Sequence, residues 1–405
     1  MKKWFWLALV LVLVFVGGAG FWIGSTKASA PSSPETTPVA PGEPLPPINT
    51  PFAGEPLDGD SGESALQRVD LDAVRTLYAP DTVYARVGER EITWAQYAQW
   101  LESNVLSAEN YLESMAAYGL PMAWDSDYDE THSFAAFVTE SLNENLRVYA
   151  GIDQFAHELG YEISDEELDE AEAQTMREVL GEDAGADEWA ALLAENFLTE
   201  DIYRTKLRSD LLLQKAYDER YGTDAENISD ETVERFLADN DYLRSNHILF
   251  LTMDMNTRES LDEETIAAKK AQAEKIAAEL QGITDQAELL ARFAALKEEL
   301  DEDSGKVAYP TGYLFSAGQM VPEFEETSRT LEVYQVSDPV LTTYGYHVII
   351  RLPIERSDVL DTGSTVAEAA ASAELASELD AVVDALEFEL AEDVAPVDLL
   401  AHLQK

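Results

Sequence analysis

The sequence predicts an α+β protein: a mainly helical region followed by a smaller domain in which a small sheet is flanked by helices. Three observations predict it. Residues 69–240 carry apolar positions at helical spacing through several long stretches, opened by one short hairpin pattern. Residues 241–354 change texture, with strand-like runs at 246–250 and 347–351 on either side of amphipathic helical patterns. Residues 355–405 return to helical spacing.

Composition bounds the function classes. The chain has 405 residues, too many for one core of ordinary size, and 46% are hydrophobic, enough to fill two or three. The formal charge is -52, from 79 acidic and 27 basic residues. Lys and Arg nowhere cluster into a surface that could track phosphates, so no nucleic-acid partner is expected. There is no cysteine, which excludes disulfides, thiolate metal sites, a Cys nucleophile and a lipid-modified N-terminal Cys.

Residues 1–30 read as an N-terminal transmembrane signal anchor. Lys2 and Lys3 precede an apolar run from Trp4 to Ile23 that is longer than a signal-peptide core and meets the length of a spanning helix. Ala28-Ser29-Ala30 resembles a cleavage site, but Pro31 follows directly and hinders cleavage. Retained or cleaved, the segment sends the rest of the chain outside, because positive charge before the span keeps the N-terminus cytoplasmic. Residues 31–68 read as a linker, since the stretch from Pro31 to Ser64 holds nine of the sixteen prolines and too little apolar area to fold.

The first folded region, 69–240, opens at 83–92 with an alternating pattern broken at Gly88, which reads as a hairpin. Thr93 reads as an N-cap, and helices are expected near 133–159, 165–180, 187–196 and 200–220. Ser164 with Glu167 forms a capping-box pattern, and Ser229 caps a further helix. In 241–354, helices are expected at 264–280 and 288–300, with a short one near Phe324. In the tail, Leu375, Leu379, Val382, Leu386 and Leu390 recur at helical spacing, so one amphipathic helix is expected there, packed back on the first region.

The second region carries a resemblance. Ser245-Asn246-His247-Ile248-Leu249 resembles the opening strand of parvulins, and Phe293 with Leu296 the family's following helix. Asp303-Ser304-Gly305 resembles its acidic loop, and Gly318-Gln319-Met320-Val321-Pro322-Glu323-Phe324-Glu325 its central motif. Val336-Ser337-Asp338-Pro339-Val340 and Tyr344-Gly345-Tyr346-His347-Val348-Ile349-Ile350 resemble its closing turn and strand. Each piece alone is weak; together, in order, they are specific. One stretch departs: Tyr309-Pro310-Thr311-Gly312-Tyr313-Leu314-Phe315 stands where parvulins commonly carry Gly-Gly-Asp-Leu-Gly. The opening pattern of the first region, followed by helices and then such a domain, resembles extracytoplasmic foldases of the PrsA and SurA type, whose helical part is a chaperone module.

The resemblance implies a small antiparallel sheet and peptidyl-prolyl cis-trans isomerase activity with no metal or cofactor. It implies Phe315, Met320 and Phe324 as an apolar cup for the proline. It also implies His247, His347 and Asp303 as a hydrogen-bond network joined by Thr342, with Gln319 donating to a substrate carbonyl. Unaided, Met320 and Phe324 at i, i+4 read as core, a histidine opening an apolar strand as a core or edge residue, and Asp303 as part of a solvated acidic face. His132, His157 and His402 show no ligand spacing. The loop at 254–264 holds only Arg258 as a cation, so no preference for phosphorylated Ser-Pro is expected. The implied partners are unfolded or partly folded secreted polypeptides with X-Pro bonds, and the membrane through the N-terminal segment; a homodimer is compatible with the sequence. The altered 309–315 stretch leaves a second reading open, a holdase with an inactive domain. A third, an envelope scaffold resting on the linker and the acidic surface, predicts one fixed partner and no unfolded clients.

Overall fold

The computed structural model describes residues 66–404. The anchor expected at 1–30, and the linker except for its last three residues, lie outside them. Among the described residues no helix is long and apolar enough to cross a membrane. By packing the chain forms two compact units. One comprises the described residues up to Gln214 together with those from Glu378 onward; the other is Lys215–Ser377.

The first unit begins with the short helix α1 (Leu71–Arg75) and a hairpin of β1 (Val83–Val87) and β2 (Arg90–Thr93). Helix α2 (Trp94–Ala117) starts at Thr93 because Thr93 and Gln96 cap each other's backbone N–H groups. Then come α3 (Phe134–Glu158), α4 (Asp165–Leu180), α5 (Ala186–Glu195) and the larger part of α6 (Glu200–Tyr221). Ser133 and Ser164 accept hydrogen bonds at the starts of α3 and α4. The core gathers Tyr84, Trp94, Tyr97, Leu101, Phe134 and Leu142, all almost fully buried.

The second unit holds α7 (Asp230–Asp239), β3 (Leu243–Leu251), α8 (Glu263–Gln281), α9 (Gln286–Leu300), β4 (Tyr313–Phe315) and α10 (Pro322–Thr330). It continues through β5 (Val340–Leu341), β6 (Gly345–Arg351) and the start of α11 (Val366–Asp384). Its four strands form an antiparallel sheet in the order β4-β3-β6-β5. One face, with Ile248, Phe250, Val348 and Ile350, packs on α8 and α9. The other face, with Leu243 and Ile349, packs on Phe324 of α10. The segments flanking the sheet are tied to each other. Arg356 donates to Asp230 and to the carbonyls of Ala225 and Ile228, and Glu374 accepts from Thr232 and Arg235. This accounts for unit boundaries at 214 and 377, beyond the 240 and 354 at which the sequence changes texture.

The tail differs from the sequence expectation at its end. Leu379 packs against the cluster of the first unit that includes Trp189 and Tyr203, and Val383 lies against Gly151, as a helix packed there requires. The helix stops at Asp384, however, and does not run on to Leu390. Glu387-Phe388-Glu389-Leu390 alternates acidic and apolar residues, the period of a strand. It forms β7 (Phe388–Leu390), antiparallel to β1, and Leu386, Val397 and Leu399 then enter the core of that unit.

Candidate active site

Side chains alternate across a strand, so Ser245, His247 and Leu249 of β3 share one face of the sheet. In the antiparallel register His247 stands opposite Ile349 and Leu249 opposite His347. His347 is therefore the diagonal neighbour of His247 on that face. Both rings are buried, with centroids 4.9 Å apart. The ring of Phe324, carried by α10, meets His247 edge-on at 5.3 Å and His347 at 5.7 Å. Phe315 of β4 lies 5.9 Å from Phe324, and Met320 packs against the same cluster. The three residues expected to form an apolar cup are thus in one cluster beside the two histidines.

The polar partners converge from three directions. Thr342, just after β5, lies with its Oγ1 2.9 Å from His347 Nε2, and the same oxygen accepts from Tyr344 N–H. Asp303, just after α9, has Oδ2 3.4 Å from His247 Nε2, close enough for charge to act but outside a well-formed hydrogen bond. Its Oδ1 accepts from Gly305 N–H at 2.9 Å. Its Oδ2 accepts from the Tyr313 hydroxyl at 2.6 Å. Neither ring nitrogen of His247, nor Nδ1 of His347, has a hydrogen-bond partner among the described residues, although all three are buried. Buried polar atoms are normally paired, so these are unused capacity at the cup.

Gln319 is the exception among the expected residues. It is exposed, and its side-chain carbonyl accepts from Ser316 N–H at 2.8 Å, closing the turn before Met320. Among the described residues no group of His, Asp and Glu is arranged to hold a metal ion.

The charge states follow from the surroundings. Burial alone would raise the Asp303 carboxyl, but His247, the Tyr313 hydroxyl and Gly305 N–H hold it well below the usual carboxylate range. Burial, then the hydrogen bond to Asp303 and that carboxylate's charge, push the Tyr313 phenol up, so it stays a donor. Burial and then the neighbouring His247 push His347 down to about 3, against the pull of Asp303. At neutral pH the Asp303 carboxylate is charged and the His347 imidazole is neutral.

Sequence reasoning missed two parts. Tyr313 lies within the departing 309–315 stretch, and its ring stacks on His247 at 5.7 Å with 4° between planes. Beneath the site lies a buried ion pair, Lys297 Nζ to Asp301 Oδ2 at 2.7 Å. Lys297 also donates to the His247 carbonyl, and Asp301 accepts from Leu249 and Asp303 N–H. The pair pins strand and loop on both sides of the site. A lysine in a helical, charge-rich run reads as exposed, so the sequence held no signal for it.

Residues 247–352 match the family model of the PPIC-type PPIASE domain, or rotamase. That segment is a parvulin-type rotamase domain. It runs from within β3 through β6 and includes every candidate side chain described above. Beyond it, the chain is 31% identical over 191 residues to the foldase protein PrsA of Oceanobacillus iheyensis, covering 47% of this chain and 53% of that one. It is 27% identical over 273 residues to PrsA of Caldanaerobacter subterraneus subsp. tengcongensis, covering 66% and 72%. The chain spans about half the length of several of the curated relatives it matches. A crystal structure of peptidylprolyl isomerase (PrsA) from Bacillus anthracis is similar at 19% identity and a TM-score of 0.24, over 59% of this chain and 92% of that one.

Proposed function

We propose that the rotamase domain is an active peptidyl-prolyl cis-trans isomerase and that the chain is a foldase for polypeptides outside the membrane. The observation that carries this is an apolar cluster, Phe315, Met320 and Phe324, contiguous with two buried histidines of whose four ring nitrogens three have no hydrogen-bond partner among the described residues. The names of the relatives support the foldase reading, and the charged apolar run at 2–23 supports an anchored, extracytoplasmic chain.

The chemistry asks for little beyond this. A planar amide resists rotation by about 18–20 kcal/mol because resonance moves electron density from nitrogen to oxygen. Twisting undoes that transfer, so the rotated amide has a less negative oxygen and a restored lone pair on nitrogen. The planar form is the more polar, and an apolar cup around the prolyl ring disfavours it. A fixed anion near the carbonyl favours the state in which that oxygen is least negative, which is the role of Asp303. A neutral His347 leaves that field uncompensated, and its bond to Thr342 sets the ring. His247 lies between the carboxylate and the apolar cluster. Every such group acts by differential stabilisation of the twisted state, and each tenfold in rate corresponds to about 1.4 kcal/mol.

The holdase reading rested on the altered 309–315 stretch. In the fold that stretch supplies β4, with Tyr313 on the network and Phe315 in the cup, which favours activity. Refolding of a client limited by proline isomerisation separates the readings. Wild-type chain should speed the slow phase, and His247→Ala/His347→Ala should not, while still suppressing aggregation. A folded wild-type chain that suppresses aggregation without touching the slow phase would favour the holdase.

A further inference from the structure

The departing stretch brings into the site a phenol that the parvulin resemblance does not assign. Tyr313 makes two independent contacts there. Its hydroxyl donates to Asp303 Oδ2 at 2.6 Å, and its ring lies nearly parallel to His247 at a centroid distance of 5.7 Å. Tyr309 packs on its outer side at 4.7 Å. Two glycines make room for it. A Cβ on Gly305 would stand 2.1 Å from the Tyr313 hydroxyl oxygen and 3.2 Å from Asp303 Oδ2. Gly312, at φ +100, brings the chain so close to β3 that a Cβ would meet the Ser245 carbonyl at 2.7 Å. A tyrosine kept only for its bulk would need neither the space around its oxygen nor the flat approach to the imidazole.

We propose that Tyr313 is a positioning residue for the isomerisation, fixing the Asp303 carboxylate through its hydroxyl and the His247 imidazole through its ring. This rests on the isomerase reading and adds to it a residue and a mechanism of control. Among the described residues the carboxylate has three polar neighbours: Gly305 N–H, the Tyr313 hydroxyl and His247. Of these, only Tyr313 can be edited by a single atom. The other titratable groups that face it are His347 across the sheet, Tyr309 beyond Tyr313, and Asp301 on the same loop, whose charge is met by Lys297 and whose carbonyl is met by Lys306. Losing the phenolic donor therefore leaves the carboxylate less stabilised, and it takes up a proton at higher pH.

The test uses the full chain with Tyr313→Phe, Gly305→Ala and Asp303→Asn, alone and combined, on an X-Pro peptide. Tyr313→Phe keeps the ring and the fold. It should lower kcat/KM about tenfold with KM little changed, and move the acid limb of the pH profile upward. In the Asp303→Asn background it should cost no more than twofold further, because its hydroxyl acts through that carboxylate. Gly305→Ala, which displaces the phenol from the other side, should reproduce the Tyr313→Phe profile. Wild-type kcat/KM in Tyr313→Phe, or an equal loss with and without Asp303, would overturn the proposal. A carbon-13 titration of the Asp303 carboxyl reads the same contact without turnover. An unmoved midpoint in Tyr313→Phe sinks the inference even in an active enzyme. A raised midpoint in a wild-type chain that does not isomerise keeps the contact and rejects the isomerase reading instead.

Discussion

Removing Lys297 from beneath the site should be far more damaging than removing any surface cation. Its side chain and that of Asp301 are 7% and 0% exposed, and they meet at 2.7 Å. A buried pair adds little net stability against an apolar replacement, but breaking one half strands the other as an unpaired charge, at about 3–5 kcal/mol. Lys297→Met keeps most of the volume and strands Asp301. For a unit of roughly 160 residues, each kcal/mol lowers Tm by about 2–4 °C, so the expected fall is about 6–20 °C. Asp301 also accepts from Leu249 and Asp303 N–H, so Asp301→Asn keeps an acceptor for both while removing the charge. The double variant Lys297→Met/Asp301→Asn should recover at least half of the loss. Calorimetry and urea unfolding of the soluble chain measure this, with peptide isomerisation assayed well below the lowered Tm. Activity should fall in Lys297→Met even when it is folded, because Lys297 also holds the His247 carbonyl at 3.0 Å. The reasoning fails if Lys297→Met lies within about 1 kcal/mol of wild type, or if the double variant is no more stable than the single.

Three further outcomes are expected. Folding depresses the His347 pKa from its ordinary value near 6.5 to about 3, so its contribution to stability is fully present above pH 6.5. It is lost as pH falls through that window, because only the unfolded chain takes up the proton; His347→Gln should flatten the slope of stability between about pH 6.5 and 3. Gly312→Ala should displace β4, since a side chain at φ +100 is strained and its Cβ meets the Ser245 carbonyl; isomerisation and unfolding in urea should both show the damage. Ending the chain after Ala385 removes β7, Val397 and Leu399 from the first core, so the first unit should unfold at lower urea while peptide isomerisation persists.

Much of the frame was legible because local signals agreed with the fold. Ser164, Ser229 and Thr93 stand at helix starts as the caps they resemble, and the helices follow within a few residues. The apolar runs around His247 and His347 became the two central strands, since strands packed on both faces read as near-continuous apolar stretches. What stayed hidden depends on neighbours distant in sequence. β4 has three residues and β5 two, too short for any period to show. Leu390 fits both the helical series from Leu375 and a strand alternation with Phe388, and pairing with β1 decided between them. Thr342 and Asp303 were found through family resemblance alone. Tyr313 was visible only as a departure from that family, because nothing in its own neighbourhood says that Asp303 stands 2.6 Å from its hydroxyl.

The most direct test is the cis-trans exchange rate of an X-Pro peptide, measured by magnetisation-transfer NMR with catalytic amounts of the chain and no coupling protease. Uncatalysed exchange takes tens of seconds or more. The account predicts exchange fast enough to register in the wild-type chain, and its loss in a folded His247→Ala/His347→Ala variant. Exchange at the uncatalysed rate with folded wild type, or equal catalysis by the double variant, would contradict it.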